Sequence, residues 1–227
     1  DYSGEYVNFF HKEVDDLFCR LLEDFSPDIV HIHNICGLSL NIPKMARHRK
    51  IRTVLTLHDY WGICYKNTLM KGDGLICEAF GECEKCLPFI SSERWTNLPT
   101  RMRKDYLALQ LRDVGAVISP SAYLAEIYER VGLFRKKIRV VHNGVDVARF
   151  QKVNRKKGRK EVRFSFIGHL GRHKGVQTII EALPYLRIKK RFKVNLVGEG
   201  EQKSELEKVV RHIGMQKTVK FWGKIEN

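Results

Sequence analysis

No stretch of this chain is long and apolar enough to cross a bilayer. The longest segments without a charged side chain, 29–43 and 114–125, fall short of the ~20 apolar residues a span needs, and both contain polar groups. Nothing at the N-terminus of this sequence shows a basic region followed by an apolar one. The first residue is Asp1 rather than Met, so the expectation is a piece of a longer polypeptide whose true start lies upstream. Acidic side chains are in deficit, 26 against 41 lysines and arginines, which leaves a formal charge of +15. That surplus favours anionic partners such as phosphates, nucleic acid or acidic lipid surfaces and says nothing about fold. No Asp-x-Asp occurs, so a Mg²⁺-diphosphate clamp has no obvious ligands. What is present is 43% hydrophobic content, enough for ordinary packed cores, in a length that corresponds to about one and a half domains.

The positive charge is concentrated. Residues 130–160 hold twelve lysines and arginines against the single Asp146, and their tail, QKVNRKKGRK, has no apolar periodicity. It reads as a solvated linker held open by self-repulsion. Upstream, apolar residues at Val7, Phe10, Val14, Leu17, Phe18, Leu21, Leu22 and Phe25 follow helical spacing and predict an amphipathic helix over 5–25. Then come a strand at DIVHIH, a helix over 39–49 and a buried strand IRTVLTL ending at His58-Asp59. A glycine-rich insertion over 60–92 precedes a helix over 94–112, the strand GAVISPS, a helix capped by Ser121, and the strand IRVVHNG. Beyond the linker the alternation resumes with VRFSFIG, a helix over 174–186, FKVNLVG, a helix over 201–213 and TVKFWG. Two blocks of alternating strands and helices imply two parallel sheets, with ligand sites beyond the carboxyl ends of the strands. The second block has only three strands, half of a usual doubly wound domain, so an open edge and an uncovered, sticky face are expected there.

The sharpest local motif is GHLGRHKG, 168–175, between a predicted strand and a helix. Arg172, His173 and Lys174 crowd a predicted helix N-terminus, where the macrodipole makes each positive charge unfavourable by roughly 0.3 to 1 kcal/mol. Backbone N–H groups, close-approach glycines and a lysine at one spot make a diphosphate cradle, and the competing reading is a glycine-rich turn with solvated basic residues. The second turn, Val197-Gly198-Glu199-Gly200, reverses the charge and reads equally as a capped helix start or as a contact for sugar hydroxyls. His58 closes a buried strand where sites form, and Asp59 is expected to fix its tautomer, while His33 is read as a satisfied structural histidine. Cys64, Cys77, Cys83 and Cys86 share the insertion with C-x12-C-x5-C-x2-C spacing, and the choice between a structural zinc and free thiols stays open. Cys19 and Cys36 lie apart from them.

Six segments in register, DIVHIHN, TLHDYWGIC, VISPSAYLAEIYERVG, VVHNGVDVARF, FSFIGHLGRHKGVQTIIEALPYL and LVGEGEQKSELE with VKFWGKI, give the chain a family likeness. It resembles glycosyltransferase family 4, the retaining GT-B family, over nearly its whole length. The resemblance implies two Rossmann-like doubly wound parallel-sheet domains, both incomplete here. These are an acceptor-side domain at 1–147 with the cysteine-rich insertion, a basic hinge at 148–161, and a nucleotide-sugar domain at 162–227. It also implies that Lys174 binds the donor diphosphate, with Arg172 and His169 beside it and Gly168 and Gly175 shaping the cradle. His58 would project toward the donor sugar, Asn143, Gly144 and Asp146 would enter the hinge, and Gly198, Gly200 and the 221–223 turn would lie near ribose and base. The sequence departs from the family at His169, where arginine is usual, and an acidic E-x7-E segment is expected beyond Asn227.

The function implied is transfer of a sugar from a nucleotide-diphosphate sugar to a glycan or lipid-linked acceptor, with retention and without a catalytic cofactor, in cell-surface polysaccharide or glycolipid synthesis. A cytoplasmic site at an anionic inner leaflet would suit the basic surface, and the 227-residue stretch alone is expected not to turn over. One rival is a non-catalytic nucleotide-sugar-binding fragment. The other, a zinc-containing nucleic-acid-binding protein, is disfavoured because the basic run lacks interleaved aromatics, and no nucleic-acid partner is expected.

Overall fold

A computed structural model of the chain describes residues 10–33, 35, 38–64, 66–71, 73–78, 80, 100–151, 161–187 and 191–225. The chain divides into two compact units, Asp1–Val145 and Asp146–Asn227.

The first unit carries a four-stranded parallel sheet in the order β1 (Ile29–Ile32), β2 (Arg52–Thr56), β3 (Ala116–Ser119), β4 (Arg139–Val140). Its register sets Ile32 beside Leu55 and Leu55 beside Val117, three apolar side chains buried in one core. Helix α1 (Lys12–Phe25) precedes the sheet, and Ser26 ends it in a left-handed conformation with its N–H on Leu22 O. Only part of its apolar stripe reaches the core. Leu22 is buried and Val14 and Phe18 pack on the cluster, whereas Leu17, Leu21 and Phe25 stay exposed. Helix α2 (Ile42–His48) leads into β2, and Arg49 pairs with Glu23 of α1 at 3.0 Å. Helix α3 (Thr100–Leu111) contributes Leu107 and Leu111 to the core.

Helix α4 (Ala122–Val131) behaves as its sequence dictates. Ser121 Oγ accepts the Leu124 N–H at 3.2 Å, and Gly132 ends the helix with φ +71°. Its Tyr128 is buried and does what no periodicity announces. The phenol donates to Asp59 O at 3.1 Å and accepts the Gly62 N–H at 3.0 Å, which pins the loop after β2 to the helix. Tyr128→Phe strands both backbone groups and is expected to cost about 1–3 kcal/mol in urea unfolding; an unchanged midpoint would show that water replaces the phenol freely.

The second unit opens with the short helix α5 (Val147–Gln151), which takes up the first part of the expected hinge, while 152–160 lie outside the described residues. Its sheet is parallel in the order β5 (Glu161–Ile167), β6 (Arg191–Val197), β7 (Val219–Gly223). Val194, Leu196 and Val219 pack with α6 (Val176–Ala182) and α7 (Lys203–His212) through Val176, Ile180, Leu206 and Val210. The expected helix over 174–186 is broken into three. A 3₁₀ turn spans Arg172–Lys174, Gly175 turns left-handed at φ +71°, α6 follows, and a second 3₁₀ turn spans Leu183–Tyr185. Pro184 has no N–H to continue the ladder, so the last turn tightens.

The uncovered face of this sheet is mixed, with Ile167 79% and Trp222 47% exposed among polar side chains. Strand periodicity and register put Arg163, Ser165, Lys193, Asn195 and Lys220 on it. Asn195 donates to Ser165 Oγ at 3.3 Å and accepts from Trp222 Nε1 at 3.0 Å, and Lys220 Nζ sits 3.5 Å over the indole.

Candidate functional site

Two clusters gather at carboxyl ends of strands, one in each unit. In the second unit the loops after β5, β6 and β7 are laced by backbone hydrogen bonds. Gly168 N–H reaches Val197 O at 3.0 Å, Leu170 N–H reaches Glu199 O at 2.8 Å, and Gly198 N–H reaches Gly223 O at 2.8 Å. A Cβ at Gly198 would stand 1.9 Å from Gly168 O, and one at Gly200 2.5 Å from Leu170 O. These two glycines are therefore required by the packing of one loop on the other, whatever ligand visits.

On this frame His169 Nε2 meets Glu201 Oε2 at 2.8 Å, and the His173 ring stacks on His169 with centroids 6.0 Å apart. The Glu201 carboxyl is held below the usual carboxylate range, chiefly by its own backbone N–H and then by His169. Burial, with Lys174 and His169 nearby, holds the His173 imidazole below its usual range, against the pull of Glu201. Arg172 and Lys174 are exposed, and neither has a carboxylate within 4 Å among the described residues. Lys174 lies in the 3₁₀ turn rather than on α6 itself, and the N–H groups of Lys174, Gly175 and Thr178 are already taken by Gly171 O, Arg172 O and Gly175 O. Arg172 and Lys174 carry the positive charge of the loop on exposed side chains, and the Val176 and Gln177 N–H groups that open α6 have no hydrogen-bond partner among the described residues. Glu201 was a missed participant, since its sequence neighbours mark only a helix start.

In the first unit three imidazoles form a column. His31 Nε2 lies 2.8 Å from the buried Thr56 Oγ1. The His31 and His33 rings are 4.1 Å apart, and those of His33 and His58 are 5.2 Å apart and stacked. His33 Nδ1 and His58 Nε2 are hydrogen-bonded at 3.0 Å. One expectation is corrected here. Asp59 does not hold His58: its Oδ1 accepts the Trp61 N–H at 2.8 Å, closing the turn that follows, so the carboxylate is spent locally. His33, read as a satisfied structural histidine, is exposed and finds its hydrogen-bond partner in His58. Burial first, then His33 and His58, push the His31 imidazole below its ordinary value, so it stays neutral at pH 7. A cavity of about 30 Å³ is lined in part by His33, His58, Asp59 and Trp61, room for a water rather than a sugar.

The remaining sequence candidates are dispersed. Asn143 and Gly144 lie on the exposed segment after β4 in the first unit, and Asp146 Oδ1 accepts the Ala148 N–H at 3.1 Å. Cys64 and Cys77 are half-buried free thiols, whereas Cys36, Cys83 and Cys86 lie outside the described residues. Among the described residues no group of three or more His, Cys, Asp or Glu is placed to hold a metal ion, and no helix is long and apolar enough to cross a membrane.

Residues 15–149 match glycosyltransferase family 4, and residues 147–227 match glycosyl transferases group 1. No curated protein sequence matches the chain. Among solved structures the fold recurs in a glycosyltransferase from Rickettsia africae ESF-5, at 14% identity and TM-score 0.61, covering 94% of this chain and 51% of that one. It recurs in Anabaena HepE in complex with UDP, at 14% identity and TM-score 0.60, covering 92% and 52%. The lipopolysaccharide outer core galactosyltransferase WaaB, in its apo form, is similar at 14% identity and TM-score 0.52, covering 94% and 48%. The chain thus spans about half the length of these solved chains, and its two parallel α/β units are of the GT-B type.

Proposed function

The chain belongs to glycosyltransferase family 4, and from that premise we propose that it is part of an enzyme transferring a sugar from a nucleotide-diphosphate donor to a glycan or lipid-linked acceptor. The observation that carries the proposal is the pair of exposed cations, Arg172 and Lys174, without carboxylate partners among the described residues, on a loop at the carboxyl ends of a parallel sheet. Charge grows on the leaving diphosphate as the sugar becomes oxocarbenium-like, and fixed cations there stabilise the transition state more than the ground state. Lys174 and Arg172 supply that charge. His169, hydrogen-bonded to Glu201 at 2.8 Å, stands beside them. His58 is the residue proposed to meet the donor sugar, as the family resemblance implies.

Retention of anomeric configuration follows the family resemblance, and a hexose is the sugar proposed. The acceptor is assigned to cell-surface polysaccharide or glycolipid synthesis on the cytoplasmic side, with the +15 surface docking on an anionic leaflet. Turnover is proposed for a protein of the relatives' length and not for the 227-residue stretch alone. A four-thiolate zinc bracing the insertion remains a proposal on Cys64, Cys77, Cys83 and Cys86.

The UDP held by HepE makes a uridine diphosphate sugar the first donor to try. A thermal-shift panel of UDP-, GDP- and ADP-sugars is expected to give stabilisation that rises with occupancy for one nucleotide class. No shift with any of them, at concentrations up to millimolar, would overturn the donor site.

A further inference from the structure

We propose that His33 is a positioning residue for His58: through their shared hydrogen bond it fixes which ring nitrogen of His58 carries the proton. The inference rests on the reading of His58 as the donor-sugar contact, and it adds how that contact is prepared. His58 Nε2 and His33 Nδ1 are 3.0 Å apart, close enough that one proton must lie between them. If His33 donates, His58 carries its own proton on Nδ1 and offers a donor to whatever it faces. If His58 donates, its Nδ1 is a bare acceptor. The state of His33 therefore decides the chemistry of the nitrogen left over, because in a neutral imidazole the two nitrogens always play opposite parts.

Other groups that could set this proton are engaged elsewhere. The Asp59 Oδ1 is on the Trp61 N–H, and His31 Nε2 is on Thr56 Oγ1. His58 Nδ1 and His33 Nε2 have no hydrogen-bond partner among the described residues, so His58 keeps one nitrogen available. The far end of the column is anchored, since Thr56 is buried in β2 and holds His31, on which the His33 ring rests at 4.1 Å. His33 is thus backed by the tilted His31 ring and meets His58 in front through one nitrogen. The arrangement follows from register: Ile32 lies beside Leu55, so the residues just past each strand end come together.

The test is long-range ¹H–¹⁵N NMR of the 227-residue chain at a pH where the imidazoles are neutral, with His58 assigned by its loss in His58→Gln. Two well-separated nitrogen signals are expected for His58 in the unaltered chain, as for a single tautomer. In His33→Phe, which keeps a ring against His31 but has no nitrogen, the two signals should move together toward exchange-averaged values. In His33→Asn, whose amide can stand where Nδ1 was, they should stay apart. Averaged His58 signals in the unaltered chain overturn the proposal, and so does their continued separation in His33→Phe. If His33→Phe does not fold, the unaltered chain and His33→Asn decide, since averaged signals in either refute a fixed proton. These measurements need no donor, so they stand whether or not His58 touches one; that question is answered separately by the effect of His58→Gln on donor-induced thermal shifts.

Discussion

Gly198→Ala is expected to destabilise the second unit by about 3 kcal/mol or more, the largest effect on stability foreseen for a single methyl group in this chain. Two costs combine. The backbone at Gly198 has φ +132°, a conformation an L side chain enters only with strain of about 1–3 kcal/mol. The added Cβ also meets Gly168 O at 1.9 Å, an overlap with backbone that cannot be relieved by turning a side chain. Forcing the loops apart costs a similar amount again and lengthens the Gly168–Val197 and Gly198–Gly223 hydrogen bonds. Urea unfolding followed by circular dichroism reads this directly. A midpoint within error of the parent would mean that the loops part without penalty and that their close contact carries no stability.

Lys174→Ala should behave in the opposite manner, with stability intact and donor binding lost. The side chain is exposed and, among the described residues, has no hydrogen-bond or ion-pair partner, so nothing in the fold depends on it. Removing a charge-assisted contact to a diphosphate costs about 2 kcal/mol or more, roughly a thirtyfold loss in donor affinity and kcat/KM in the complete enzyme. Lys174→Arg should recover part of that loss. Full activity in the alanine variant, with an unchanged melting temperature, would remove Lys174 from the site. Equal losses of stability and activity would make it a structural residue instead.

The strands are legible because the β-branched run TVLTL is largely buried on a parallel sheet and KVNLV alternates buried Val194 and Leu196 with residues on the open face, the two runs being followed by histidine-aspartate and by glycine. Helix α4 was legible through Ser121 and Gly132, whose chemistry is local. The helix after β5 begins later than its sequence pattern predicts for an equally local reason: the left-handed backbone of Gly175 delays it to Val176. The histidine pair escaped because His33 and His58 lie 25 positions apart, and only the register of β1 on β2 brings them together. A signal was nonetheless there, since two adjacent parallel strands each end in histidine. Tyr128 gave no such signal. By spacing it is one more core residue of α4, and the two backbone groups its hydroxyl serves belong to a loop 66 and 69 positions away.

The tight seating of Gly198 against Gly168 also limits how this protein can diversify. With main-chain atoms in contact across two turns, neither turn can shift, lengthen or accept a bulkier residue at those points unless the other changes with it. Variation in the proposed anion site is thereby channelled into the tips, His169, Arg172, His173, Lys174 and Glu201, while the scaffold beneath them stays constant.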